Sequence, residues 1–354
     1  MPDDLRHEVT DALGIVARFS CTDTEMGVEV RVATPRLVLL REEAAQVLAA
    51  VARETAEAAA VVLVTNDAVL REAARAAGYH GGLRADLVRD ASTRPPVPAT
   101  VAEWLPGIAI VERPVSSPRR LTRFLSTGLD RMVRLEASRD GVTVAVVVPL
   151  GPDTLLEPVA ATVDTLLELT HRLGPNTVRI PPITFSLNGT GIAHGRVAGA
   201  NAGAGIVLSP MYVDAAALAR IRHRLDAVAR GGGSPRRPRG NHFRVEQTIV
   251  HEVGHSVDQA EGSGRLSDTI EARATLGRAI GVDSVELALR AGWAGAPPEW
   301  EVARDRIVED LSAYATTNCV ELFAEAFVAW YLREDSPIVT AMDAVLRRRY
   351  PGMP

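Results

Sequence analysis

Cysteine is nearly absent: Cys21 and Cys319 are the only two in 354 residues. So small a number excludes a disulfide framework and any four-thiolate zinc module, because both need paired or closely spaced sets. Charge of one sign is missing as well. A formal net charge of -5 supplies no general attraction to phosphate backbones, so no nucleic-acid partner is expected. The short basic runs at 236–239 and 347–349 read as a solvated loop and the charged C-terminal end of a helix. Long apolar runs are lacking too. The alanine- and valine-rich stretch at 56–64 contains Glu57 and falls well short of the roughly 20 residues that cross a bilayer, so no membrane span is expected. The opening MPDDLRHEVTDALGIVARF has neither the basic region nor the apolar core of a signal peptide. That points to a cytoplasmic protein, or to one secreted by a route without a classical signal peptide. A nucleotide-binding loop is excluded by order: GTGIAHGRVAGANAGAG is neither a strand–GxGxxG–helix unit nor a Gly-Lys-Ser/Thr loop. It reads as turns and close backbone approaches between short strands, with His194 as a lone surface or hydrogen-bonded residue.

What is present suits a globular chain rich in helix: 47% of residues are hydrophobic, and alanine is abundant. The length predicts two domains. Alternating strand and helix signals fill the first part, with strand character at 27–40, helix at 41–60, strand at 61–64 and a helix at 66–78 capped by Asn66 or Asp67. After a proline-rich loop at 92–100, GIAIVERP and VTVAVVVPL read as strands, and RRLTRFLSTGLDRMVRLEA between them reads as a helix packed on the sheet. Residues 1–150 are therefore expected to form an α/β region, as one unit or subdivided into two, and residues 151–354 a second domain. In the latter, TLLEPVAATVDTLLELTHRL is an amphipathic helix, followed by strand signals in NTVRIPPITFSLNG and AGIVLSPMYV and by a helix at 214–230. GGGSPRRPRG then breaks the chain before HFRVEQTIVHEVGHSVD, a helix that Asn241 can cap and that Phe243, Ile249, Val250, Val253 and Val257 can bury.

HEVGH carries the chemistry. Histidines four residues apart share one helix face and can grip one Zn²⁺, with Glu252 beside the first as a base for water. A catalytic zinc needs a third protein ligand and an open position. NCVELFAEAFVAWYL offers one, with Asn318 as N-cap and Glu321 and Glu325 one turn apart among Leu322, Phe323, Phe327 and Trp330. Two carboxylates amid such bulk are costly unless their charge is compensated, which a zinc ligand and its orienting partner would do. A capping box, with Glu321 turned back to the helix start and Glu325 solvated, explains the same residues without a metal. Glu271, in SDTIEARATLGRA, is the alternative third ligand, at a spacing closer to thermolysin-like peptidases.

The two segments together resemble the catalytic domain of anthrax lethal factor and its relatives, a branch of the zincin metallopeptidases. HEVGHSVD is similar to the active-site helix of that family, including the aspartate after the second histidine, Asp258. YATTNCVELFAEAF is similar to its downstream signature of tyrosine, asparagine, ligand glutamate and a second glutamate one turn later. The resemblance covers roughly residues 160–354 and implies an α+β, zincin-like domain with a small mixed sheet and active-site helices. It further implies one zinc ion held by His251, His255 and Glu321, with Glu252 as the base and Tyr314 assisting the transition state. Glu325 and Asp258 would support the metal site from behind the ligands. The implied activity is a zinc endopeptidase acting on a protein or peptide substrate, toxin- or effector-like in character. An inactive zincin-like binding protein is the alternative. The separation between His255 and Glu321 is longer than expected for this arrangement, which implies an enlarged helical segment on the substrate side. The strand at 204–210 is expected beside the cleft, where it could pair with an extended peptide.

Overall fold

The computed structural model describes residues 7–11, 14–24, 27–34, 39–65, 67–79, 86–90, 100–115, 131–151, 154–174, 180–185, 196–197, 205–208, 213, 245–259 and 264–354. Within them the chain is α+β, with two small mixed sheets and a layer of helices. The first sheet has the order β1-β2-β3-β4-β5. Strands β1 (His7–Asp11), β2 (Gly14–Thr24) and β3 (Gly27–Ala33) are antiparallel neighbours. β3 pairs parallel with β4 (Ala60–Val64), and β4 antiparallel with β5 (Asp86–Asp90). Gly27 makes the first of those pairings possible: at φ +128°, a Cβ there would sit 2.4 Å from the Ala60 carbonyl oxygen.

The parallel step from β3 to β4 needs a crossover, and helix α1 (Arg41–Glu54) provides it. It is shorter than the periodicity predicts, because Ala60 already belongs to β4. Thr55 closes the helix with its N–H and hydroxyl both donating to the Val51 carbonyl. Helix α2 (Ala68–Ala76) starts as expected at Asp67, whose buried carboxylate accepts the N–H groups of Leu70 at 2.8 Å and Leu39 at 3.0 Å. The alternative cap, Asn66, lies outside the described residues.

The second sheet has the order β10-β11-β9-β8-β7-β6. A four-residue helix α3 (Val101–Trp104) precedes β6 (Ala109–Val115), which pairs with β7 (Arg131–Arg139), and β7 with β8 (Val142–Leu150), both antiparallel. The helix expected at 119–137 is thus corrected over its last part, which is strand. The turn residues explain why: Asp140 at φ 52° and Gly141 at φ 77° close a tight hairpin, and the Asp-Gly pair is a strong hairpin signal. β8 runs parallel to β9 (Ile183–Phe185), which runs parallel to β11 (Ile206–Leu208), and β10 (Arg196–Val197) closes the edge. Strands from both sides of residue 150 therefore share this sheet. His194, Asn241, Phe243 and the helix expected at 214–230 lie outside the described residues.

Helix α4 (Leu156–Leu173) covers the second sheet along β8 and carries α5 (Val245–Asp258) on its other side. Packed on two faces, α4 is buried nearly all round rather than along one stripe. Its Glu157 is buried between Arg71 at 2.6 Å and Arg75 at 3.0 Å, which ties α4 to α2. Beyond α5 come α6 (Ile270–Ile280), α7 (Val285–Leu289), α8 (Pro298–Asp310), α9 (Cys319–Tyr331) and α10 (Pro337–Arg349). One hydrophobic cluster runs from Phe19 and Val30 through Leu166 and Val253 to Phe327 and Leu346, so the two sheets and the helical layer share a continuous core. No helix among the described residues is long and apolar enough to cross a membrane.

Candidate metal centre

Helices α5 and α9 pack closely against each other, and the residues at the contact explain how. A Cβ on Gly254 would lie 3.2 Å from the Ala324 Cα and from Phe327 Cδ1. Glycine opposite alanine is what allows backbones to approach this far. Val250, Val253 and Val257 of α5, and Leu322, Phe323 and Phe327 of α9, are fully buried around the crossing. The start of α9 is set as expected by Asn318, whose Oδ1 accepts the N–H groups of Val320 at 2.9 Å and Glu321 at 3.0 Å.

This packing brings His251 and His255 of α5 to Glu321 of α9. The Glu321 Oε2 lies 3.2 Å from His251 Nε2 and 3.5 Å from His255 Nε2. Ligand atoms of the three residues all fall within 4.8 Å of one another, and the group could hold a metal ion. Two tests of fit support this. Ligands about 2.0–2.1 Å from a tetrahedral zinc stand about 3.3 Å apart, close to both separations seen. In addition, Glu321 Oε2 is buried without a hydrogen-bond partner, an arrangement rarely left uncompensated. Burial disfavours the charged form of Glu321, yet its contacts with His251 and His255 outweigh that and hold the carboxyl well below the usual carboxylate range.

His251 is oriented from behind. Its Nδ1 lies 2.7 Å from Glu325 Oε1, and the other oxygen of Glu325 accepts the Ser312 hydroxyl at 2.9 Å. A carboxylate at Nδ1 suits a ring whose Nε2 binds a metal, since Nδ1 then keeps its proton and donates to Glu325. Glu325 is buried rather than solvated, and Glu321 faces the imidazoles rather than its own helix start, so the capping-box arrangement is not the one adopted. The His255 ring stands edge-on to His251 with centroids 4.7 Å apart, and the Tyr314 ring is 6.0 Å from His251. Glu252, next to His251 along α5, is buried.

The Asp258 carboxylate, at the end of the same helix, accepts the Ser267 N–H at 2.6 Å and hydroxyl at 2.7 Å, which anchors the segment after α5. Burial raises the Asp258 carboxyl pKa, against the lowering effect of those hydrogen bonds. Glu271 is not in the group of converging donors, which among the described residues is His251, His255 and Glu321. It sits in the exposed first turn of α6, paired with Arg348 of α10. β11 is an inner strand with partners on both sides, so the sheet edge alongside α5 is β10. Ser312 was not apparent from the sequence; only its place three residues before Ala315, whose N–H it accepts, marks it as a turn residue. Comparisons with protein-family models, with curated proteins and with solved structures return no match.

Proposed function

We propose that this chain is a zinc-dependent endopeptidase with a zincin-like catalytic domain of the lethal-factor type, acting on a protein or peptide substrate. The observation that carries the reading is the convergence of His251, His255 and Glu321 on one point, with Glu252 adjacent on the same helix. This donor set matches catalytic rather than closed structural zinc, since two imidazoles and one carboxylate leave a position open. When bound, zinc makes water more acidic and polarises a carbonyl oxygen.

The side chains supply the rest. Glu252 takes a proton from the attacking water and returns it to the departing amine nitrogen, so one carboxylate serves as base and then acid. Tyr314 donates a hydrogen bond to the oxyanion as the carbonyl becomes tetrahedral. Glu325 holds His251 in the tautomer whose Nε2 can bind the metal. The first sheet, with α1 and α2, serves to recognise substrate or regulate access, joined to the catalytic part through α4.

The test is zinc content and cleavage of a peptide library by the wild type and Glu252→Gln. Stoichiometric zinc in both proteins, with cleavage lost only in the variant, is the expected result. A wild type that binds no zinc and cleaves nothing after reconstitution would sink the proposal.

A further inference from the structure

Behind the imidazole and its carboxylate lies a hydroxyl that no motif announces. Ser312, in the turn between α8 and the short 3-10 turn Tyr314–Thr316, is completely buried. Its oxygen makes two directional contacts: it donates to Glu325 Oε2 at 2.9 Å and accepts the Ala315 N–H at 3.1 Å. We propose that Ser312 is a positioning residue for the metal centre, which locks the Glu325 carboxylate against His251 and ties it to the turn that carries Tyr314. The inference rests on the zinc reading above and extends it to a residue outside both sequence segments.

The physical case is one of rotation. The terminal torsion of a glutamate is broad, so one contact at Oε1 does not fix the plane of the carboxylate. A second donor at Oε2 does. With His251 Nδ1 on one oxygen and Ser312 on the other, the plane is pinned at both ends, and the ring inherits that orientation through the 2.7 Å contact. Tyr314 is coupled to the same point, because the Ala315 N–H bound by Ser312 follows it directly in the chain. A serine that merely capped the turn would need only the contact with Ala315. The additional contact with Glu325 is what a positioning role requires.

The experiment measures zinc affinity by chelator competition in the wild type, Ser312→Ala, Glu325→Gln and the double variant. The melting temperature of each metal-free protein is recorded alongside. Ser312→Ala is expected to weaken zinc binding about 10- to 100-fold, the range for groups that orient metal ligands. In the Glu325→Gln background the same change should cause no comparable further loss, because the carboxylate it orients is gone. Unchanged affinity in Ser312→Ala, or a full second loss in the double variant, would overturn the inference. Should Ser312→Ala not fold, Ser312→Cys carries the same expectation, since a thiol fills the site while donating only weakly. A wild type without stoichiometric zinc refutes the metal reading itself, and a wild type that binds zinc with Ser312→Ala unaffected refutes only the role of Ser312.

Discussion

Replacing Gly254 with alanine sets two effects of known size against each other at the helix crossing that builds the site. The new Cβ would lie 3.2 Å from Ala324 Cα, 3.2 Å from Phe327 Cδ1 and 3.3 Å from Phe327 Cβ. Carbon pairs are most comfortable at about 3.5–4.0 Å, so all three contacts are short by a few tenths of an ångström. Neither neighbour can swing aside easily, because Ala324 Cα is helix backbone and Phe327 is fully buried. Relief must come from separation of α5 and α9. Alanine stabilises a helix interior by about 0.8–1.0 kcal/mol over glycine, whereas overpacking costs about 1–3 kcal/mol. The net expectation is a loss of stability between about zero and 2 kcal/mol, seen as a melting temperature lower by a few degrees. The metal centre should suffer more than the fold. The helices that separate carry both histidines on one side and Glu321 on the other, so the 3.2 and 3.5 Å approaches open together. Zinc–ligand distances tolerate only about 0.2 Å, and a measurable loss of zinc affinity in chelator competition is therefore expected. A variant with a raised melting temperature and undiminished zinc affinity would refute the argument that close approach at Gly254 sets the site.

Glu321→Ala should weaken zinc binding beyond the roughly 10- to 100-fold typical of outer groups, while Glu271→Ala, which breaks only an exposed pair with Arg348, should leave it unchanged. Chelator competition on the two variants checks the ranking, and the reverse order would assign the third ligand elsewhere. Complete burial pushes the Glu157 carboxyl up to about 7, against the pull of Arg71 and Arg75. A raised carboxyl contributes stability that is full below its unfolded value and is lost as pH rises through the folded one. The urea midpoint of the wild type should therefore fall relative to Glu157→Gln between pH 5 and 8. A constant difference between the two proteins across that range would contradict the sign.

Helix periodicity made α2, α4, α5 and α9 legible, together with the caps at Asp67 and Asn318, because these features depend on neighbours within one or two turns. The apolar spacing of β7 also fits a helix, and the Asp140-Gly141 turn that follows is the local signal that marks it as a hairpin arm. β1, β2 and β5 were not anticipated; their strand state depends on pairing with neighbouring strands, β5 with β4 and β2 with β1 and β3, rather than on local pattern. At the site, His251 and His255 were nameable from spacing, and Glu321 as the third ligand through the resemblance of its segment. The Ser267 partner of Asp258 was not legible, because it lies beyond the motif.

By itself the sequence determined which helices carry ligand-type side chains on one face, since an i,i+4 spacing is geometry internal to a helix. It likewise excluded disulfide and thiolate scaffolds and a membrane-spanning helix of ordinary length. Only the tertiary structure decided that Glu321 rather than Glu271 meets the histidines. That choice depends on Gly254 letting α5 and α9 approach, and on Asn318 starting α9 in the register that turns Glu321 inward. It also decided that Ser312 and Glu325 stand behind His251. Contacts between segments far apart in the chain have no local period to announce them, and they exist only once the core has brought the helices together.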